Sequence, residues 1–386
     1  MDRRSTSHDR LLTVIVAAGL LCATFHNSLA SQSPWYAAAY LSGQPDLQDA
    51  VTRYWQHLTA AAESGAIDGT VQIDGAHMAA RWRLSDGLYQ PLGITDMAAP
   101  ENLTAFLQWA DISDRNRSIL ILAGHGTGVA TVEHQRCGVI SDGGSEATLT
   151  AAQAARAVEE AQVTVDILSL DSCHGATLEA IWELRGIGSY CVAVPARLPH
   201  PGLPWAEVLS HSQDDSAVPV IRRMQATYGS PLAGVECGQL TNVADRLEKL
   251  VTALRGDMQS NAPALRLVRS RTTSWGYRDE TCDLLELASD LQTNAGTVEA
   301  EKAAAKLVTA IQSALVTEIG HSTGRPVGNI GIFFPPGWER PPEWYEAEYD
   351  LAKRTGWASF LAEYYEMVKQ DLIGNVADAT DVSDES

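Results

Sequence analysis

The chain has 386 residues, 45% of them apolar, and a net charge of −20 at pH 7. Its length exceeds the ~100–200 residues of an ordinary domain, so one large α/β domain with an appended helical region, or two domains, is expected. Charge of that sign repels polyanions, which argues against nucleic-acid or anionic-membrane partners and is explained by solubility outside the cell.

The first residues read as an export signal. Arg3, Arg4 and Arg10 form a basic start, Leu11 to Phe25 is apolar, and Ser28-Leu29-Ala30 ends in a small-residue pattern with cleavage expected after Ala30. The apolar run is shorter than the ~20 residues that span a bilayer. Residues 1–30 are therefore assigned to a signal peptide, and the mature protein to a secreted or periplasmic location without a membrane partner. Cys22 follows Leu21, which is too large for a lipoprotein signal. The mature chain keeps Cys137, Cys173, Cys191, Cys237 and Cys282, an odd set without metal-type close pairs, so at least one thiol stays free.

After the signal, Trp35 to Leu41 reads as a strand and Asp46 as the cap of a helix whose Leu47, Val51, Trp55, Leu58 and Ala62 recur at helical spacing. Val71 to Ile73 reads as a second strand, and Met78 to Leu84 with Asp86-Gly87 as a hairpin-like excursion. Pro100-Glu101 opens a helix bearing Leu103, Phe106, Leu107 and Trp109.

Two stretches then organise the chain: Ser118-Ile-Leu-Ile-Leu-Ala-Gly-His125-Gly126 and Val163-Thr-Val-Asp-Ile-Leu-Ser-Leu-Asp171-Ser-Cys173-His-Gly175. Each is a short apolar run of the kind buried on both faces of a parallel sheet. Between them Thr150-Ala-Ala-Gln153 is a capping-box pattern that starts a crossover helix. Strand, helix and strand make a βαβ unit, so His125 and Cys173 come to the same sheet edge, where α/β folds bind their ligands.

A cysteine nucleophile needs this partner, because thiolate is the attacking species and an imidazole can return the proton to the leaving group. Gly124, Gly126 and Gly175 let backbone approach closely and leave N–H groups for an oxyanion. Against this stands a plainer reading, in which Cys173 is a small buried hydrophobe and His125 a satisfied polar residue. His174 also neighbours the thiol, but adjacent residues at a strand end diverge in direction, which favours His125.

Downstream, Leu178, Ile181, Trp182 and Leu184 form another helix and Tyr190 to Val194 the next strand, so the alternation implies a doubly wound sheet. Beyond Gly202 the pattern is helical, with stripes at Leu240 to Leu254 and Val298 to Ile319, then a late strand at Ile330 to Phe334. Trp344, Tyr345, Tyr349, Trp357 and Tyr364 read as cover for the core, and the acidic tail from Gly374 as disordered.

The His-Gly after one strand and Asp-x-Cys after the next resemble the clostripain family of cysteine peptidases, relatives of caspases and gingipains. Further likenesses are Trp35 to Gly43, Leu92-Gly-x-x-Asp96-Met97, Pro201-Gly-Leu-Pro-Trp205, Asn329-Ile-Gly-Ile-Phe-Phe-Pro335 and Thr355-Gly-Trp357-Ala-Ser-Phe360-Leu361. The resemblance implies an α/β, caspase-like, mostly parallel sheet flanked by helices, with a helical C-terminal extension. The implied division is a catalytic domain over 31–215, a helical region over 216–373 that completes it, and a tail over 374–386.

It also implies peptide-bond hydrolysis through an acyl-enzyme on Cys173, with His125 as general acid and the Gly126 and Cys173 N–H groups as oxyanion donors. No third residue is needed to orient the histidine, and none is obvious. Asp171 matches the acidic residue that helps line a pocket for Arg or Lys before the cut; a helix cap is its plainer role. The chain departs from the family where acidic residues are common and Arg197 and His200 stand instead. Relatives mature by a cut between the two catalytic strands, which implies self-processing after Arg136. The partner is a protein or peptide substrate and no cofactor is required, though some relatives depend on calcium. A transpeptidase or a catalytically inactive binding scaffold are the alternatives on the same fold.

Overall fold

Strand and helix alternate as the pattern predicts: β1 (Tyr36–Ser42), α1 (Gln48–Glu63), β2 (Asp68–Asp74), the hairpin β3 (Ala79–Arg83) and β4 (Tyr89–Gly93), α2 (Pro100–Ala110) and β5 (Ser118–Ala123). A short hairpin, β6 (Ile140–Asp142) and β7 (Ala147–Leu149), precedes α3 (Ala151–Glu160), β8 (Val165–Asp171), α4 (Leu178–Leu184) and β9 (Gly188–Ala193). This computed structural model describes residues 35–381 apart from 44–45, 75–77, 114, 116, 130–137, 143–146, 213–214, 230 and 338–340. The expected signal peptide and Arg136 thus lie outside the described residues.

Local chemistry accounts for the crossover. Thr150 accepts from the Gln153 N–H while the Gln153 side chain accepts from the Thr150 N–H, so the capping box closes as read from the sequence. Asp46 departs from expectation: α1 begins at Gln48, and Leu47 occupies the cap position without a side-chain bond. The buried stripe of α1 is Ala50, Val51, Tyr54, Leu58 and Ala61, one position round from the expected Trp55 and Ala62. Trp55 instead packs on Trp82, with ring centroids 5.3 Å apart.

After β9 come α5 (Trp205–Ser210), α6 (Ala217–Tyr228), β10 (Ala233–Glu236), α7 (Leu240–Gly256) and α8 (Met258–Arg271). The remaining elements are β11 (Ser274–Trp275), β12 (Thr281–Asp283), α9 (Leu284–Asn294), α10 (Val298–Ala314), β13 (Gly320–Ser322), β14 (Arg325–Val327) and β15 (Gly331–Phe333). The chain closes with α11 (Glu343–Glu348), α12 (Asp350–Arg354) and α13 (Trp357–Asp381), so helix continues into the stretch expected to lack order.

Eight strands form the main sheet in the order β10-β9-β8-β5-β1-β2-β3-β4, with β9, β8, β5, β1 and β2 parallel and the others antiparallel. The fold is caspase-like, a mostly parallel sheet flanked by helices, and its C-terminal part is helical but not wholly so. There β10 extends the main sheet, and β11, β12 and β15 make a small second one.

Burial on both faces explains the unbroken apolar strands. Ala37, Ala39, Ile119, Ile121 and Ile167 pack with α1, α5 and α6 on one face; Ala38, Leu120, Leu122, Leu168 and Leu170 pack with α2, α3 and the C-terminal helices on the other. The aromatic end belongs to this second core: Tyr345, Tyr349, Trp357 and Tyr364 are buried, as expected of a cover, while Trp344 is half-buried against it. It also braces α4, because the Gly331 N–H donates to the Ala176 carbonyl at 2.7 Å and Trp357 Nε1 donates to the Phe333 carbonyl at 2.7 Å.

Candidate active site

Strand register brings the two expected reactive residues level. Ala123 at the end of β5 pairs with Asp171 at the end of β8, and the Gly124 N–H donates to the Asp171 carbonyl at 3.3 Å. His125 and Cys173 each stand two residues further on, and both line one cleft of about 390 Å³. Gly126 permits the close approach of the two strand ends, since a Cβ there would lie 2.8 Å from the Cys173 carbonyl oxygen. The N–H groups of Gly126 and Cys173 find no acceptor among the described residues, so both are available to an anionic oxygen.

Cys173 is half-buried and its Sγ accepts the Leu198 N–H at 3.3 Å, a contact that orients the sulfur and that no sequence pattern announces. The other described thiols are different. Cys191, Cys237 and Cys282 are buried, and burial raises their pKa, to about 12 for Cys237 and Cys282.

His174 turns away. Its backbone is left-handed, φ 57°, a strain of ~1 kcal/mol or more for a non-glycine residue. The turn buries its ring, with Nδ1 3.0 Å from the Pro195 carbonyl oxygen and the ring centroid 5.4 Å from that of Tyr277. Burial lowers its pKa, so the neutral ring donates from Nδ1 to that carbonyl.

Asp171 follows from the pleat. Side chains of a strand alternate between faces, so Asp171 shares the α1 side with Ile167 and Ser169. It lines the cleft, yet is only 3% exposed. Oδ2 accepts from the Tyr54 hydroxyl at 2.6 Å and the Leu203 N–H at 3.2 Å; Oδ1 accepts from the Ser169 hydroxyl and from Trp205 Nε1, the latter at 3.4 Å. Burial raises the carboxyl pKa to about 6, while these donors pull it back down. The segment Pro201 to Trp205 is thus the strap that holds this carboxylate, and Tyr54 is a site residue that the helical stripe alone did not single out.

Arg197 and His200 stand exposed on the rim, with the Arg197 guanidinium 5.6 Å from the centroid of the Tyr277 ring. Tyr277, from the loop between β11 and β12, gives the C-terminal region a share in the cleft wall. His125 has a neighbour that the sequence did not suggest: its Nε2 lies 2.8 Å from Asp46 Oδ2. Among the described residues no group of three or more His, Cys, Asp or Glu could hold a metal ion, and no helix is long and apolar enough to cross a membrane.

Known proteins agree with this architecture. A secreted C11 cysteine protease from Bacteroides thetaiotaomicron, solved with an irreversible peptide inhibitor, superposes with a TM-score of 0.63 at 13% identity, covering 84% of this chain and 99% of that one. An inactive zymogen C11 protease from Parabacteroides distasonis gives 0.60 at 14% identity, covering 84% and 98%. Identities this low speak for the fold alone. A comparison with curated proteins gave no match. The model of the clostripain family matches residues 86–364, which span both reactive strand ends and the closing motifs. The chain therefore belongs to the clostripain family and is a clostripain-like cysteine peptidase.

Proposed function

We propose that the protein is a secreted endopeptidase that works through Cys173 and His125. The observation that carries the reading is the level placement of the two residues at the ends of β5 and β8, in one cleft beside two main-chain N–H groups that find no acceptor among the described residues. Cys173 gives its proton to His125 and attacks the scissile carbonyl; the oxyanion rests on the Gly126 and Cys173 N–H groups. Collapse of that intermediate breaks the C–N bond, and His125 returns the proton to the leaving amine. Water, deprotonated by His125, then hydrolyses the thioester and frees the acid.

The residue before the cut is basic in this reading, and Asp171 selects it. Rim cations oppose this choice, but exposed charges act through water and are worth ~1 kcal/mol at 4 Å, whereas a charge near a buried carboxylate sees an effective dielectric several-fold lower. Beside this carboxylate the strap needs glycine at position 202, where φ is 120° and a Cβ would lie 2.7 Å from Tyr54 Cε2. The reading requires no cofactor, and a calcium ion such as some relatives depend on is compatible with it. Maturation proceeds by loss of the first thirty or so residues and by a cut after Arg136.

A panel of fluorogenic peptides that differ only in the residue before the cut tests the specificity, with Cys173→Ala as the control. Arginyl and lysyl peptides should be cleaved and others barely touched. Cleavage of neither basic peptide would leave Asp171 as a structural carboxylate. An added amine acceptor distinguishes hydrolysis from transfer, and amino-terminal sequencing of exported protein checks both maturation steps, with Arg136→Ala expected to remain one chain.

A further inference from the structure

Asp46 lies in the loop after β1, and His125 in the loop after β5. These two strands are neighbours, but α1 packs on one face of the sheet and α3 on the other, so the loops part here and open the crevice typical of a switch in strand order. Across that crevice Asp46 Oδ2 sits 2.8 Å from His125 Nε2. The contact is not a by-product of capping: α1 has Leu47 at its cap position with no side-chain bond, and the Asp46 side chain is 67% exposed. The main chain of His125 is fixed separately, since its carbonyl accepts the Ser141 N–H at 2.9 Å.

A carboxylate only accepts hydrogen bonds, so the proton of the neutral ring stays on Nε2 and the lone pair is left on Nδ1. Nδ1 is then the one atom of His125 able to take the thiol proton and pass it to the leaving amine. The negative charge on Asp46 also stands against the ring when it becomes an imidazolium.

We infer that Asp46 is a positioning residue of the peptidase reaction, holding His125 in the Nε2–H tautomer with Nδ1 turned to the chemistry; this rests on the Cys173–His125 reading above. Water competes for so exposed a pair, so the expected effect is about tenfold, well below the ~10⁴-fold loss seen when a buried orienting carboxylate is neutralised.

The test uses the mature enzyme with an arginyl peptide and the variants Asp46→Ala and Asp46→Asn, with Asp49→Asn as a control for the loss of one exposed charge. Asp46→Ala should lower kcat about tenfold with KM within about twofold. Asp46→Asn, whose amide oxygen still accepts from Nε2–H, should recover part of that loss, and Asp49→Asn should match the wild type. Nitrogen-15 spectra of histidine-labelled protein, with the His125 signals identified by their loss in His125→Ala, should show Nε2–H in the wild type and a tautomer mixture in Asp46→Ala. Unchanged kcat and unchanged His125 signals in Asp46→Ala, with Cys173→Ala inactive, would overturn the inference alone. Activity retained in Cys173→Ala would overturn the reading of the site and the inference with it.

Discussion

Tyr54 donates its hydroxyl to Asp171 Oδ2 at 2.6 Å, joining the buried stripe of α1 to the floor of the cleft. Burial pushes the Asp171 carboxyl up to about 6, and the Tyr54 bond is one of the contacts that lower it. If Asp171 selects the basic residue as proposed, below that pH the neutral carboxyl gives a substrate cation no partner, and above it the charge is present. KM for an arginyl peptide should therefore rise as pH falls through about 6, by about tenfold per pH unit well below the midpoint, and KM for a neutral-residue peptide should not follow. Tyr54→Phe removes a donor that favours the charged form, so the midpoint moves to higher pH, and the lost buried bond costs about 1–3 kcal/mol of stability. Paired KM–pH profiles for the two peptides read both effects. A midpoint that Tyr54→Phe leaves in place would detach the pH dependence from Asp171.

Cys173 should be the single described thiol that alkylates in the folded protein. At pH 8 Cys191, Cys237 and Cys282 are both buried and held as thiols by their raised pKa values, while Cys173 opens on the cleft. Peptide mass mapping after brief iodoacetamide treatment, before and after unfolding in guanidinium, checks this. Labelling of Cys191 at the rate of Cys173 in the native state would contradict the packing.

Removal of either member of the pair should be nearly as costly as removal of both. Cys173→Ala and His125→Ala are each expected to abolish hydrolysis, and the double variant to be hardly worse, because the residues act as a unit. Cys191→Ala and His174→Ala should keep most of the activity, His174 being turned into the interior towards Pro195. Steady-state rates on one arginyl peptide suffice, and an inactive but folded His174→Ala would reassign the imidazole.

What the sequence made legible was local. The apolar runs of β5 and β8, the capping box of Thr150 and Gln153, and the residues at the strand ends follow from periodicity and short-range hydrogen bonding, and they led to His125 and Cys173. The rest of the site depends on chain segments that meet only in the fold. Asp46 reads as a helix cap, and its contact with His125 spans 79 positions. Tyr54 and Trp55 fit the same helical stripe, and only the angle of α1 on the sheet decides which of them reaches Asp171. The Leu198 N–H on Cys173 Sγ and the Tyr277 wall come from loops whose path no local pattern encodes.

Gly126 carries the sharpest steric demand in the site. Its backbone is not left-handed, so the requirement for glycine there is one of space: a Cβ would lie 2.8 Å from the Cys173 carbonyl oxygen and 2.7 Å from Ser172 Cβ. Real Cβ atoms do not approach main-chain oxygen that closely, and neither strand end can give way cheaply, since Ala123 and Asp171 are locked in register directly before them. Gly126→Ala should therefore move the His125 loop off Cys173 and turn its N–H away from the oxyanion. The expected loss in kcat is about a hundredfold to a thousandfold, the range found when an oxyanion donor is removed, with KM changed much less. Gly186→Ala is the matched control, because a Cβ there meets nothing within 4 Å, and it should behave as the wild type. Iodoacetamide should still label Cys173 in Gly126→Ala, showing that the thiol is present and reachable while turnover is lost. Full kcat in Gly126→Ala would mean that the loop relaxes without cost, and would remove the Gly126 N–H from the oxyanion site.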